Sequence, residues 1–293
     1  MTTVLVTGAT GYLGSAAARS LRASGHRVVG TARTPAAAEK LAAAGVHPVA
    51  ATLEQPTSLV AALSTVDAVV HAAFGSGDGA AAAETAGVRA MLTAIGDRPF
   101  LYTSGIGVVG ETGECQVGED APVRPPAWMG WRRELELATL AAGHGLVLRP
   151  ALVYGRAGGL VLTGLIRAAL QSGAARYVAP GTNEWPNVHV DDVGDLAARA
   201  LDAAPGTVLH AVAGESTPRR VAEAIGRLIG RPEATTGVPP DRAPGMVPFA
   251  DWLGTRQRVA APHAHRLGWT PAGRPLEWEV ERGSYRYLLA EPR

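Results

Sequence analysis

Gly8, Gly11 and Gly14 stand three residues apart in the stretch VTGATGYLGS, between the apolar run TTVLV and an alanine-rich segment. Glycines at this spacing allow a tight turn and let backbone N–H groups approach a pyrophosphate, whose charge the N-terminus of a following helix stabilises. The stretch reads as a dinucleotide cradle rather than a purely structural turn, because a strand precedes it and a helix follows. Its contact residues are then Thr7, Gly8, Thr10, Gly11, Tyr12, Leu13 and Gly14. The end of the next strand discriminates between dinucleotides, since an NAD site usually places an acid there for the adenosine ribose hydroxyls. Here it reads VVGTARTP, with no acid and with Arg33 in position to meet a 2′-phosphate. NADP(H) is therefore expected over NAD; the alternative is an ordinary solvent-facing arginine.

Such a cradle needs a scaffold that presents a strand end to a helix start. The first two hundred residues alternate short β-rich runs with Ala/Leu-rich stretches of helical length, the first helix running from about Leu13 to Ser24. The runs are TTVLVT, HRVVGTA, VHPVA, DAVVHAA, RPFLYTS and LVLRPALVY. Strands that are apolar throughout, with helices between them, require a parallel sheet covered on both faces. After Tyr154, GLVLTGLIRAALQSG reads as helix, NEWPNVHV as strand and DDVGDLAARALDAA as a helix opened by acids. TVLHAVAG then reads as strand and STPRRVAEAIGRLIG as a capped helix. The expected fold class is α/β: a Rossmann-type doubly wound parallel sheet with a smaller C-terminal substrate-binding lobe. Residues 1–155 form the sheet domain, with 187–213 returning to it; residues 156–186 and 214–293 form the lobe. Pro/Gly-rich patches around 119–127 and 231–245 read as loops.

The totals narrow the function classes. The 293 residues, 47% hydrophobic and 18% charged, suffice for one large core and a smaller one. A net charge of +1 without a basic cluster gives no electrostatic reason to expect nucleic acid or an anionic membrane as partner. The single cysteine, Cys115, fits a reducing compartment and lacks any partner that would make it a nucleophile. No metal-ligand spacing appears. MTTVLVTGAT enters a strand directly, without signal-peptide character, and no apolar run approaches the ~18 residues of a membrane span. A cytoplasmic protein acting on a small molecule is expected, with a homodimer left open.

Five motifs in order resemble the extended branch of the short-chain dehydrogenase/reductase superfamily, of the epimerase/dehydratase type. TGATGYLG resembles its TGxxGxxG loop, DAVVHAA its fourth-strand motif and LRPALVYG the segment after its active-site helix. VHVDDVGDLA and RLGWTP resemble two further stretches nearer its C-terminus. The resemblance implies that His71, Ala72 and Ala73 flank the cofactor. It also implies a Ser-Tyr-Lys catalytic set, and here the chain departs. Counted back from Gly110, the serine that binds the substrate carbonyl falls on Gly105, preceded by Ser104. With Glu136 as register mark, Tyr-x-x-x-Lys falls on Trp128 and Arg132 of PAWMGWRRELE. Only one of the 27 basic residues, Lys40, is a lysine, and no tyrosine precedes it by four, so the pair is absent in any register. The pattern resembles an atypical subgroup with poorly defined chemistry.

In the family's mechanism the tyrosine exchanges the carbonyl proton, while the lysine lowers its pKa and holds the nicotinamide ribose. Arg132 keeps a cation and its donors but, with a pKa above ~12, exchanges no proton near neutrality. Trp128 offers an apolar face and one N–H. The catalytic positions are thus Ser104, Trp128, Arg132 and Tyr154, the last two also contacting the cofactor. Groups left to carry a proton are Tyr154, His71, Tyr12 and His189. Each has a packing alternative: pocket wall, strand end beside the cofactor, packing near the cofactor, and, with Asp191 and Asp192, helix cap at the lobe junction. Glu134 and Glu136, two apart on a helix, cannot both face one substrate; Glu136 is expected to pair with Arg132 or Arg133. Trp128, Trp131 and Trp185 either line a pocket for a flat aromatic substrate or pack at the lobe interface.

Three functions stay open. The first is an NADP(H)-dependent oxidoreductase on a small, natural-product-like molecule, for which reduction of a conjugated C=C or C=N bond needs no tyrosine. The others are a non-redox cyclase, isomerase or lyase, and a nucleotide-sensing regulatory protein. The oxidoreductase is the expectation.

Overall fold

Val4 and Val6 point to one side of the first strand and Leu5 to the other, and all three are fully buried. Both sheet faces must therefore be covered. The structure is a computed structural model and describes residues 1–75, 77–244 and 250–290. Within the expected lobe, 245–249 and 291–293 lie outside the described residues, as does the last position of the loop expected at 231–245.

The first half of the chain forms β1 (Thr3–Thr7), α1 (Tyr12–Ala23), β2 (Arg27–Ala32), α2 (Pro35–Ala43), β3 (His47–Ala50) and α3 (Pro56–Ala62). It continues through β4 (Ala68–His71), α4 (Ala80–Ile95), β5 (Phe100–Thr103), α5 (Gly130–Leu140) and β6 (Gly145–Pro150). The second half adds β7 (Leu152–Tyr154), α6 (Leu160–Ser172), β8 (Ala175–Val178), β9 (Trp185–His189), α7 (Val190–Arg199) and β10 (Val208–Ala211). It closes with β11 (Gly214–Ser216), α8 (Pro218–Leu228), β12 (Thr235–Val238), α9 (Ala250–Leu253), α10 (Pro262–Arg266) and α11 (Leu276–Arg282).

The main sheet has the order β10-β6-β5-β4-β1-β2-β3, with every neighbouring pair parallel. One face packs on α1 and α7 through residues such as Val4, Ala17 and Leu196; the other packs on α3 and α4 through Leu5, Leu59 and Met91. A separate apolar cluster joins α6, α8 and α11 around Ile166, Ile225 and Val280. No helix among the described residues is long and apolar enough to cross a membrane.

The structure refines two sequence expectations and agrees with a third. LVLRPALVY is two strands: Ala151 N–H makes a hydrogen bond to the β10 carbonyl of Ala211, beyond Pro150, and β7 then pairs with β9 instead. The patch 231–245 is not simply a loop: β-branched Thr235, Thr236 and Val238 form β12, paired in parallel with β8. Between Gly110 and Pro126, by contrast, no named helix or strand forms, as the composition of 119–127 implies.

A buried ionic cluster crosses the core. Arg149 on β6 donates two hydrogen bonds to Glu136, at 3.0 and 2.8 Å, and Arg133 adds a third at 3.0 Å. Arg133 is thus one partner expected for Glu136; Arg149 is the fuller one, and Arg132 points elsewhere. Arg149 Nη1 also meets His210 Nε2 at 3.3 Å, while His210 Nδ1 lies 2.9 Å from the carbonyl oxygen of Ala260. An arginine only donates and a carbonyl only accepts, so this imidazole is neutral with its proton on Nδ1. Burial, acting against the Ala260 carbonyl and Glu119, pushes its pKa down from 6.5 to about 4.

Two outcomes follow for stability. Unfolded, His210 gains a proton near pH 6.5, but folded only near 4, so its contribution is intact above 6.5 and is lost as pH falls toward 4. His210→Gln should flatten that segment of a stability curve measured by urea unfolding at stepped pH; an unchanged slope would remove His210 as its source. Glu136→Ala, which strands Arg149 without its counter-charge, should cost about 3–5 kcal/mol in the same assay.

Candidate functional site

β1 lies between β2 and β4, where the strand order reverses, so a crevice opens at its C-terminal end. The chain turns there at Gly8 (φ +67), where a Cβ would stand 2.7 Å from Ala73 Cα and 2.8 Å from Ala72 O. At Gly14 a Cβ would collide with the carbonyl oxygen of Gly8. Two strand ends and a helix thus meet backbone to backbone. The N-cap of α1 is Gly11, and no side chain caps the helix. Its leading N–H groups remain available to an anion, which is what a dinucleotide pyrophosphate requires. The residues fit that group.

Thr7 knits the cradle together. Its hydroxyl oxygen accepts from the N–H groups of Ala72 and Ala73 at 3.2 and 3.3 Å, and lies 2.9 Å from His71 Nδ1. With two donors already arriving, the hydroxyl gives its own proton to Nδ1. A neutral His71 then carries its proton on Nε2, which faces Glu84 Oε1 at 3.8 Å. Thr7, Gly8, Gly14, His71, Ala72 and Ala73 are therefore brought together as expected. Thr10 faces a neighbouring groove with Arg19, Arg22 and Lys40. Arg33 is exposed one residue beyond β2; it adds to the pull of the Thr52 hydroxyl and the local backbone in holding the Glu54 carboxyl below its usual range.

Arg132 sits on α5, its guanidinium 4.5 Å from the Trp131 ring centre and 5.0 Å from that of Phe74. Nη1 donates toward Glu84 Oε1 (3.3 Å), the Tyr102 hydroxyl oxygen (3.3 Å) and the Thr103 carbonyl oxygen (3.4 Å). Tyr102 in turn donates to Glu84 at 3.1 Å. Burial pushes the Tyr102 pKa well up despite the Arg132 cation, so the hydroxyl stays a donor. Glu84 and Tyr102 were not singled out by sequence reasoning. Only one signal marked them: Glu84 is a lone acid in the alanine-rich AAAAETAG.

Beside the cradle lies a cavity of about 290 Å³ whose wall includes Tyr12, Leu13, Gly105, Trp128, Leu152 and Trp252. Trp128 is partly exposed on a short turn (Ala127–Met129) before α5. The Ser104 hydroxyl is shielded from solvent and has no hydrogen-bond partner. Tyr154 is not among the wall residues: its hydroxyl donates to the Arg274 carbonyl at 2.6 Å, and Leu152 and Val153 line the cavity instead. Tyr12 does line it, with its hydroxyl donating to Gly155 O at 2.8 Å. Burial, first among several causes, raises the pKa of both tyrosines. His189 accepts from the Asp191 N–H as the N-cap of α7. Asp192 accepts from the N–H groups of Ala272 and Gly273 at 2.8 and 3.0 Å, so these residues hold the junction with the C-terminal segment. Of the tryptophans expected at a pocket, Trp131 packs under Arg132 and Trp185 stacks on Trp252 at 5.8 Å; Trp252 takes the wall position.

A family model for the NAD dependent epimerase/dehydratase family matches residues 4–212. The chain belongs to that family. An uncharacterized protein of Schizosaccharomyces pombe is 30% identical over 298 residues, spanning 96% of this chain and 99% of that protein. A 2-alkyl-3-oxoalkanoate reductase of Stenotrophomonas maltophilia is 30% identical over 260 residues, or 80% of this chain and 76% of that enzyme. Among solved epimerase/dehydratase structures, the dTDP-glucose 4,6-dehydratase DesIV of Streptomyces venezuelae, with NAD bound, superposes with TM-score 0.79 at 19% identity, covering 98% and 97% of the two chains. The Thermus thermophilus UDP-glucose 4-epimerase with NAD gives 0.76 at 19% identity, covering 98% and 99%. Identities this low speak for the fold and not for the reaction.

Arg132→Ala should destabilise the protein by about 3–5 kcal/mol, because Glu84 is left buried without its cation, with the Tyr102 hydroxyl at 3.1 Å and the His71 ring at 3.8 Å as its remaining polar neighbours. Adding Glu84→Gln should recover most of that loss in denaturant midpoints. Additive losses in the double variant would remove the coupling.

Proposed function

We propose that the protein is an NADP(H)-dependent oxidoreductase that reduces a polarised C=C or C=N bond of a small organic molecule without a side-chain proton carrier at the usual position. The observation that carries this reading is the pairing of an intact dinucleotide cradle with a cavity whose described wall residues include no carboxylate, imidazole or amine. A relative bearing a reductase name across most of the chain supports the redox reading.

In this reading Gly8, Gly11 and Gly14 seat the pyrophosphate, with Thr7, Ala72 and Ala73 holding the two strand ends that flank it. Arg33 meets the 2′-phosphate. Arg132 contributes its remaining N–H groups to the nicotinamide ribose, its orientation set by Glu84, Tyr102 and the Thr103 carbonyl. Trp128 covers the position of the missing tyrosine and keeps the reacting carbon in an apolar surrounding. A reduced nicotinamide, when bound, supplies hydride; the balancing proton comes from water at the cavity mouth. Ser104, behind the wall residue Gly105, holds an unpaired buried hydroxyl next to the position where the related enzymes bind a carbonyl.

Calorimetric titration of nucleotide-stripped protein tests the reading. NADPH should bind tighter than NADH by roughly tenfold or more, the scale of one charge-assisted contact, and Arg33→Ala should erase the difference while sparing NADH. Arg132→Ala should weaken both nucleotides. Equal affinity for the two sinks the NADP assignment, and binding of neither sinks the oxidoreductase. Turnover of a substrate panel into isomers, without NADPH consumption, would put a non-redox reaction in its place.

A further inference from the structure

Resting on the reading above only for where the ligand sits, we infer that the cavity takes a compact, uncharged molecule built on a flat apolar ring system, and excludes sugar nucleotides. Among the described residues of the wall there is no Asp, Glu, Lys, Arg or His. The Tyr12 hydroxyl gives its proton to the Gly155 carbonyl at 2.8 Å and so offers a ligand no donor. A nucleoside diphosphate sugar would have to leave its charged phosphates and hydroxyls here without cations or donors, which desolvation opposes strongly. Solved relatives that share the fold carry such ligands in their names, so the fold does not decide the ligand; the wall does.

Size points the same way. About 290 Å³ lies at the low end of ligand pockets, which span roughly 300–1,000 Å³. Part of it must receive the nicotinamide, since Tyr12 and Leu13 of the cradle form one side. What remains suits one or two fused rings.

Flatness comes from the floor and its brace. Gly105 and Gly107 present bare backbone to the cavity; a Cβ at Gly107 would stand 3.3 Å from Met129 Cε and 3.7 Å from Trp128 Cη2. The Trp128 indole therefore lies against the glycine floor, and Trp252 forms another side of the same space. Gln257, 1% exposed, ties floor and wall together. Its Nε2 donates to the carbonyls of Ile106 (3.3 Å) and Gly110 (2.9 Å), and its Oε1 accepts from Trp252 Nε1 at 3.2 Å. Every polar atom of that amide is used, so the protein's own hydrogen bonds hold floor and wall together. Two indoles against bare backbone favour stacking with a planar ring.

The test uses three probes on the full-length protein, read by tryptophan fluorescence and calorimetry: 2-acetylnaphthalene, its charged counterpart 2-naphthoate, and UDP-glucose. NADPH binding is measured first in the same preparation. If it fails, the oxidoreductase reading falls, and the probes still decide the cavity on nucleotide-free protein. Acetylnaphthalene should bind saturably and at least tenfold tighter than naphthoate, with no saturable UDP-glucose binding. Gly105→Val, at an extended position (φ −174) where a Cβ makes only ordinary contact, should weaken acetylnaphthalene at least tenfold without lowering the denaturant midpoint. Leu160→Arg, at the exposed rim, should raise naphthoate affinity. Absence of saturable acetylnaphthalene binding, or tighter binding of naphthoate or UDP-glucose to the wild type, overturns the inference.

Discussion

The structure depends on one close approach: Gly8 against Ala72 and Ala73, with Gly14 pressed on the Gly8 carbonyl. No side chain fits in either contact, so the ends of β1 and β4 and the first turn of α1 converge as bare backbone. That convergence positions everything else. It leaves the α1 N-terminus uncapped by a side chain, sets Thr7 where it can bridge to His71, and puts Tyr12 and Leu13 on the wall of the cavity.

Helix α5 answers a second constraint. Arg132 and Glu136 lie one turn apart, yet each belongs to a different buried charge cluster. Arg132 neutralises Glu84 from the neighbouring α4, beside the site, while Glu136 neutralises Arg149 from β6, inside the core. In the first role a single nitrogen, Nη1, shares its two N–H groups among a carboxylate, a hydroxyl and a carbonyl, leaving the other donors of the guanidinium uncommitted to that cluster. The same side chain that resembles a lysine substitute in one dimension is, in three, the clamp on a buried acid. Fixing α5 by charges at both turns also fixes the turn before it, which carries Trp128.

Much of this was legible in the chain itself. The glycine spacing and the apolar strands led to the cradle and the parallel sheet, because each rests on local rules of turn or period; the VHVDD and LGW stretches entered through family resemblance, with a junction role for Asp192 as one of two readings. The absence of Tyr-x-x-x-Lys followed from counting a single lysine. What stayed hidden depends on tertiary contacts between distant segments. Glu84 and Tyr102 meet Arg132 only through packing of α4, β5 and α5. Trp252 reaches the cavity, and Gln257 braces it, from a Pro- and Arg-rich stretch with no periodicity to place them. Tyr154 looked like a site residue because it stands in the LVYG turn, but the hydroxyl finds the Arg274 carbonyl, 120 residues on, and turns away.

The rim of the cavity has one more property. Residues 155–159 include Arg156 and Ala157 in left-handed conformations (φ 51 and 52) that non-glycine side chains seldom adopt. Their support comes largely from the far end of the chain. The Tyr285 hydroxyl accepts from the Gly155 N–H at 2.9 Å and donates to the Gly158 carbonyl at 2.6 Å, while Ser284 accepts from Ala157 N–H at 2.7 Å. During synthesis the cradle is therefore complete in sequence by residue 73, but the rim lacks these supports until Tyr285 has emerged. Order of assembly separates the two halves of the site: the glycine cradle is made first, and the rim of the cavity is fastened later.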